Sequence, residues 1–471
     1  MTLIFDSHPF QYETERLFRS FFPPIKITLS HSRGDAQGEY CLTSRSAEGG
    51  AICLSVRLCA GGQDISRSAE VPTDTPEKEQ ERVLSVLLYE ALRALTGIAP
   101  PWGVLTGVRP VKVLSSVSDE YAAEKLLVSP EKLALARRIS EVQKPLAAGA
   151  LPRTFSLYVS IPFCPSRCSY CSFISHSADR AQGLIDEYLG LLAQELYATA
   201  DAARQAGLLL DTVYFGGGTP TVLSAEQLKR LFAALECFDM ARVREFTVEA
   251  GRPDTITRDK LLAIKQAGAR RISVNPQTMN DAVLRAVGRN HTADQTRAAY
   301  ALVRNVGFGC INADLIAGLP TDTPESFRAS LDEVMSMRPE NITVHTLSLK
   351  RAAALFHAEA AQGGGASQMV DYAHAALSAA GYSPYYLYRQ KNTADNRENT
   401  GYAKPGTESL YNMYIMEELQ TILAAGAGGS TKLVDGGRIK RIANFKYPYE
   451  YIDRFNKVIN SKQEIIGFFD E

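Results

Sequence analysis

The sequence predicts an α/β fold: a parallel sheet of six βα units, open or closed into a partial barrel, with an α+β domain before it and an appendage after it. Three observations carry this. From about Asp211 to about Val344, short β-rich runs alternate with amphipathic helical stretches, as in crossover-connected parallel strands. At 471 residues the chain is too long for one ordinary compact core. The residues with distinctive chemistry fall just after the predicted strands, where such a sheet gathers its functional groups.

The first part reads as an α+β domain, 1–150, with a helix over Tyr12–Phe22, strands near Ile25–Leu29 and Ala51–Cys59, and a helix over Lys78–Leu95. Val71-Pro-Thr-Asp-Thr-Pro76 is a loop, and a helical stretch Glu120–Val142 leads through Pro145 and Gly149 into the sheet. The barrel is expected over 151–380. Its strand candidates are Ser156–Ile161, Thr212–Phe215, Glu245–Val248, Arg271–Val274, Gly309–Leu315 and Asn341–His345. Ser224-Ala-Glu-Gln227 has the form of a capping box before Leu228, Leu231, Phe232 and Leu235. Thr257 can cap a helix that stops at Gly268, Thr323-Pro324 places proline in a first turn, and Gly183–Ala206 repeats Leu184, Tyr188, Leu192 and Leu196 every four residues. From 381 to 471 the pattern changes to a tyrosine-rich run and polar loops, expected to cover the open side of the barrel.

The composition narrows the function. With 51 Lys+Arg against 52 Asp+Glu the net charge is −1, which gives no support for nonspecific nucleic-acid binding. The longest apolar stretches, such as Val83–Leu95 with its Glu90 and Arg93, fall short of a spanning helix, so no membrane span is expected. The first residues lack a basic region followed by an apolar run, and three of eight cysteines crowd into one loop; a cytoplasmic protein is expected.

That loop is the central signal. Cys164, Cys168 and Cys171 follow the first barrel strand at C-x3-C-x2-C spacing. Three thiolates can hold three irons of a cubane cluster and leave the fourth open to another ligand. A structural zinc site with His176 as fourth ligand satisfies the same spacing. The further strand-end motifs weigh toward the cluster, because a compact zinc knuckle has no use for them. Cys41, Cys53, Cys59, Cys237 and Cys310 lack such spacing and read as buried small hydrophobes.

Here the sequence resembles the radical S-adenosylmethionine superfamily, and within it the oxygen-independent coproporphyrinogen III oxidase group. The shared residues are Tyr158-Val-Ser-Ile-Pro-Phe-Cys164, Phe215-Gly-Gly-Gly-Thr-Pro220, Val248-Glu249-Ala250, Gln277, Arg289 and Ile311-Asn-Ala-Asp314-Leu-Ile-Ala-Gly-Leu-Pro320, spread over roughly 155–350. Pro101-Trp-Gly-Val-Leu-Thr-Gly-Val-Arg-Pro110 resembles the branch with a long N-terminal extension. The resemblance implies a partial (β/α)6 radical-SAM barrel, with a [4Fe–4S] cluster on Cys164, Cys168 and Cys171. It also implies S-adenosyl-L-methionine held by Tyr158, Tyr170, Gly217, Gly218, Thr219, Glu249, Gln277, Arg289, Asp314 and Ser348. The glycine motif would bind its amino group by backbone N–H donation, and Glu249 its ribose hydroxyls. Tyr158, Gln277, Arg289 and Asp314 match a site the relatives share with a second S-adenosylmethionine.

The implied reaction is radical decarboxylation. An electron from an unidentified donor releases a 5′-deoxyadenosyl radical, which takes a hydrogen atom from the β-carbon of a tetrapyrrole propionate. Loss of CO2 and one electron leaves a vinyl group, and two rounds convert coproporphyrinogen III to protoporphyrinogen IX. Arg252, Arg271, Arg289 and Arg389 are candidate partners for the substrate carboxylates. Two departures bear on this: Phe173 stands where the oxidase has a further cysteine, and Gly251-Arg252-Pro253 replaces a more usual Asn-Pro or Asp-Pro. The rival readings are a haem-binding chaperone, with His176 or His345 as axial ligand, a radical enzyme acting on another tetrapyrrole, and a catalytically silent scaffold.

Overall fold

The computed structural model describes residues 1–22, 26–172, 176–178, 181–350, 352–357 and 364–470; Phe173 lies outside them. The chain divides into two compact units between Ser140 and Glu141.

The first unit holds a sheet in the order β2-β1-β3-β4-β5, from β1 (Thr2–Asp6), β2 (Thr28–Ser30), β3 (Tyr40–Glu48), β4 (Ala51–Ala60) and β5 (Gln63–Pro72). β1 is parallel to both neighbours, while β3, β4 and β5 form an antiparallel meander. Along β4, Ile52, Leu54, Val56 and Leu58 alternate into the core, the period-two pattern of a half-buried sheet. The helix Glu77–Thr96 buries Leu84, Leu87, Leu88, Ala91 and Leu92 and ends at Gly97, whose φ of 69° forms a left-handed cap. The expected stretch Glu120–Val142 is two helices, Asp119–Glu124 and Pro130–Ala148, parted where Leu127 turns to a positive φ of 56°.

The second unit is built on β6 (Thr154–Ile161), β9 (Leu209–Gly217), β10 (Glu245–Glu249), β11 (Arg271–Ser273), β12 (Cys310–Ala317) and β13 (Asn341–Thr346), which pair in parallel in this order. These six are the partial barrel. Between β6 and β9 lies the two-residue pair β7 (Phe163–Cys164) and β8 (His176–Ser177). β14 (Ser383–Tyr388) and β15 (Asn399–Ala403) extend the sheet antiparallel beyond β13. On the other side β16 (Thr421–Ala425) runs parallel to β6, followed by antiparallel β17 (Ser430–Asp435) and β18 (Arg438–Ala443).

The helices obey their punctuation. Ser224 and Gln227 form both bonds of the capping box, Thr257 accepts from the Lys260 N–H, and Thr323 caps the helix that Pro324 opens. The long helix Gln182–Gln205 buries Ile185, Tyr188, Leu192 and Leu196. It also buries Glu195 completely. This carboxylate accepts from the Gly426 N–H (2.7 Å), Asn444 Nδ2 (2.7 Å), Tyr451 Oη (2.6 Å) and Lys462 Nζ (2.6 Å), so its charge is fully partnered. Two turns earlier, Tyr188 Oη donates to Ser160 O (2.8 Å) and accepts from Ala427 N–H (2.9 Å). The C-terminal segment is thereby fastened to the end of β6, from which the cysteine loop departs.

Candidate cofactor site at the strand ends

The cysteine loop leaves β6 and is tied down along its length. Ser169 N–H donates to Val287 O (3.0 Å), Ser166 Oγ to Gly288 O (3.1 Å), and Leu355 N–H to Ser169 O (2.8 Å). Cys164, Cys168 and Cys171 all line one cavity of about 400 Å³, and Thr219 Oγ1 lies 3.5 Å from Cys164 Sγ. His176 is not among the lining residues; its ring stands edge-on to Tyr449 at 5.9 Å. Among the described residues no three His, Cys, Asp or Glu side chains are placed to hold a single metal ion. Cys237 and Cys310 lie outside the cavity, and burial pushes each thiol up to about 11.

The glycine motif behaves differently from its expected role. The N–H groups of Gly218 and Thr219 donate to Ile161 O and Phe163 O, both at 2.7 Å, and so close the turn. A Cβ on Gly218 would sit 2.4 Å from Phe163 O, and one on Gly217, at φ 103°, 2.9 Å from Ser160 Oγ. The glycines are therefore required first for the close approach of β9 to the cysteine loop. Gly217, Gly218 and Thr219 still line the cavity, but two of the expected N–H donors are already used.

Across the cavity stand the strand-end carboxylates. Glu249 Oε1 accepts from Tyr214 Oη at 2.6 Å; burial pushes this carboxyl up to about 7, against the lowering effect of that bond. Tyr214 stacks on Tyr411 with ring centres 4.4 Å apart, and Tyr158 stacks on the same pair. Tyr158 itself is not among the residues that line the cavity, though its neighbour Tyr214 is. Asp314 accepts from Asn312 Nδ2 (2.8 Å) and lies 3.7 Å from His345 Nε2. Gln277 adopts a positive φ of 70°, pairs its backbone with Asp314 and Ile316, and leaves its buried Oε1 without a partner among the described residues. Ser348 lines the cavity with its hydroxyl donating to Lys391 O.

Arg289 is buried. Its Nη2 donates to Gly251 O and Asn275 O (2.7 Å each), its Nη1 to Tyr170 Oη (3.2 Å), and its Nε has no partner among the described residues. Tyr170 lines the cavity beside the cysteines. Arg271 is elsewhere: it bonds Thr407 O and Asn341 and faces Glu245, outside the cavity. Arg389 also does not line it, and its Nη2 donates to Asn396 Oδ1. Two of the four arginines considered for substrate carboxylates are thus removed by position. Tyr214, Asn275, Asn312, Thr343, Tyr386 and Tyr388 line the cavity and escaped the sequence reading. For Asn312 a signal existed, since it sits two residues before Asp314 on one strand and so shares its face.

The donor set fits an iron–sulfur cluster beside a charged nucleoside ligand. Three thiols from one loop form one wall, while acceptor carboxylates and a buried, unpartnered amide oxygen form the other. A profile of the radical SAM superfamily matches residues 158–334. The chain is also 40% identical over 408 residues to the oxygen-independent coproporphyrinogen-III oxidase-like protein HemZ of Bacillus subtilis, covering 82% of this chain and 81% of that one. The chain belongs to the radical SAM superfamily, in the oxygen-independent coproporphyrinogen-III oxidase-like group. Other members of this radical SAM group are similar over less of the chain. The heme chaperone HemW of Bacillus subtilis is 31% identical over 62% of this chain and 77% of its own. The structure of coproporphyrinogen III oxidase HemN of Escherichia coli, a radical SAM enzyme, superposes with a TM-score of 0.52 at 27% identity, over 67% of this chain and 72% of that one. Radical SAM membership implies a [4Fe–4S] cluster and S-adenosylmethionine. Among the described residues no helix is long and apolar enough to cross a membrane.

Proposed function

We propose that this protein carries out the oxygen-independent oxidative decarboxylation of coproporphyrinogen III to protoporphyrinogen IX. The observation that carries the reading is the continuity of one cavity, from the three cysteines past Glu249 and Asp314 to Tyr386, Tyr388, Ser348 and Lys350. A cofactor and a larger substrate can therefore meet in it. Cys164, Cys168 and Cys171 hold the cluster. Glu249 accepts the ribose hydroxyls, with Tyr214 and Tyr158 stacked behind it, and Thr219, Tyr170 and Arg289 shape the wall between cluster and ligand. Gln277, Asp314 and Arg289 face the space for a second S-adenosylmethionine. When bound, the cluster and S-adenosylmethionine supply a reducing electron and a carbon radical able to take hydrogen from an unactivated C–H bond.

The chain's own residues supply position and shelter. Tyr214, Tyr386 and Tyr388 exclude water from the reacting carbon. Lys350, exposed at the rim, pairs with a substrate carboxylate. Each propionate gives up one β-hydrogen atom, CO2 and one electron, the electron passing to an external acceptor. A second reading, a haem-binding chaperone, is favoured by Phe173 in place of the further cysteine and by His345 on the cavity wall. Anaerobic product analysis by mass spectrometry separates the two. Reconstituted protein, reductant, S-adenosylmethionine and coproporphyrinogen III are expected to yield protoporphyrinogen with 5′-deoxyadenosine. Neither product from a protein with its full cluster points to the chaperone, and 5′-deoxyadenosine with untouched porphyrinogen points to another substrate.

A further inference from the structure

We infer that Arg252 sets the reduction potential of the cluster, holding it higher than the three thiolates alone would. The inference rests on Cys164, Cys168 and Cys171 being the cluster ligands. Arg252 stands just past β10, and it is 3% exposed. Its guanidinium turns to the cysteine loop. Nη2 donates to Ser166 Oγ (3.0 Å), and Nη1 to Ser166 O (3.3 Å), with Cys168 Sγ 3.8 Å away. Nε faces Asp254 Oδ1 at 3.3 Å, on a side chain that is 19% exposed and so better screened than its partner. With every nitrogen so directed, Arg252 is poorly placed to receive a substrate carboxylate.

A guanidinium does not lose its proton in a protein, so this charge is permanent. Arg289, also buried, adds a second cation on the same side through Tyr170. His291, buried close to both, cannot offset them: burial and the two positive charges hold it down at about 3, so it stays neutral. Reduction adds one negative charge to a cluster. A buried cation and an N–H directed at a ligand sulfur both favour that reduced state, and hydrogen bonding to the sulfurs is an established lever on such potentials. Arg252 supplies both at Cys168.

The test is an anaerobic redox titration of the reconstituted full-length chain without S-adenosylmethionine, followed by visible absorbance and electron paramagnetic resonance, with iron and sulfide quantified. Arg252→Gln is expected to disfavour reduction about tenfold or more, a shift of about 59 mV to more negative potential for a one-electron couple. Arg252→Lys should fall between it and wild type. Asp254→Asn, which removes the compensating carboxylate, should shift the potential the other way. Arg252→Gln with full cluster content and an unmoved or more positive potential overturns the inference. If that variant fails to hold a cluster, Arg252→Lys and Asp254→Asn decide: shifts of opposite sign support the inference, and potentials equal to wild type overturn it. A wild-type chain that assembles no cluster removes the ligand reading, and this inference with it.

Discussion

The two walls of the cavity differ in charge. On the cysteine side the buried ionisable groups are cations, with Arg252 against Ser166 and Cys168, and Arg289 against Tyr170. On the side of the strand ends the groups are carboxylates, with Glu249 held by Tyr214 and Asp314 held by Asn312. Each wall is suited to a different partner. A thiolate-ligated cluster is negative and is stabilised by cations. A sulfonium nucleoside carries positive charge and hydroxyl donors and is met by acceptors. The segregation follows chain order: Arg252 comes from the turn after β10 and Arg289 from the loop after the short helix Asp281–Ala286, while Glu249 and Asp314 lie on β10 and β12 themselves.

The sharpest way to break this picture is to remove a thiol. Cys168→Ser is expected to abolish the broad visible absorption of the reconstituted cluster, while Cys237→Ser, outside the cavity, leaves it unchanged. Undiminished iron and sulfide in Cys168→Ser would defeat the assignment. Next in size is Arg289→Ala, which strands Gly251 O, Asn275 O and the Tyr170 hydroxyl. Unmade buried bonds cost about 1–3 kcal/mol each, so a loss of roughly 3 kcal/mol in denaturant unfolding is expected. A smaller effect would mean that water replaces the guanidinium.

The acidic wall can be probed by pH. The Glu249 carboxyl rises from its ordinary 4.5 to about 7 on folding, because burial disfavours its charge. The unfolded chain therefore loses this proton first. The resulting destabilisation is absent below about pH 4.5, grows as pH rises, and is complete above about pH 7. Relative to wild type, the ligand-free Glu249→Gln variant should gain stability over that window, by on the order of 1–3 kcal/mol. A difference that does not change with pH would show that Glu249 stays charged throughout. The smallest effect is expected at the rim: Lys350→Ala should raise KM for coproporphyrinogen several-fold at unchanged kcat, as loss of an exposed charge pair of about 1 kcal/mol would.

The six parallel strands were legible because each is a short buried run followed by a turn, and the helices because Ser224, Thr257 and Thr323 mark their starts. The edges of the sheets were not. Residues 63–72 and 438–443 form strands whose side chains are largely exposed, so they show no apolar alternation. Thr421–Ala425 pairs with β6, yet its short apolar, alanine-rich sequence has no period to distinguish strand from helix. In the candidate site, the cysteines and strand-end carboxylates were visible by type and spacing. What the sequence could not reveal was where existing bonds were already made. The Gly218 and Thr219 N–H groups close a turn, Arg271 and Arg389 point elsewhere, and Arg252 turns onto the cysteine loop.

The central proposal is that Cys164, Cys168 and Cys171 hold a [4Fe–4S] cluster that S-adenosylmethionine meets in the cavity they line. Electron paramagnetic resonance of the reduced, reconstituted protein with and without S-adenosylmethionine tests it most directly. The expected result is four irons per chain and a spectrum that changes on addition of S-adenosylmethionine. Stoichiometric zinc in place of iron, or a cluster spectrum indifferent to S-adenosylmethionine, would contradict it.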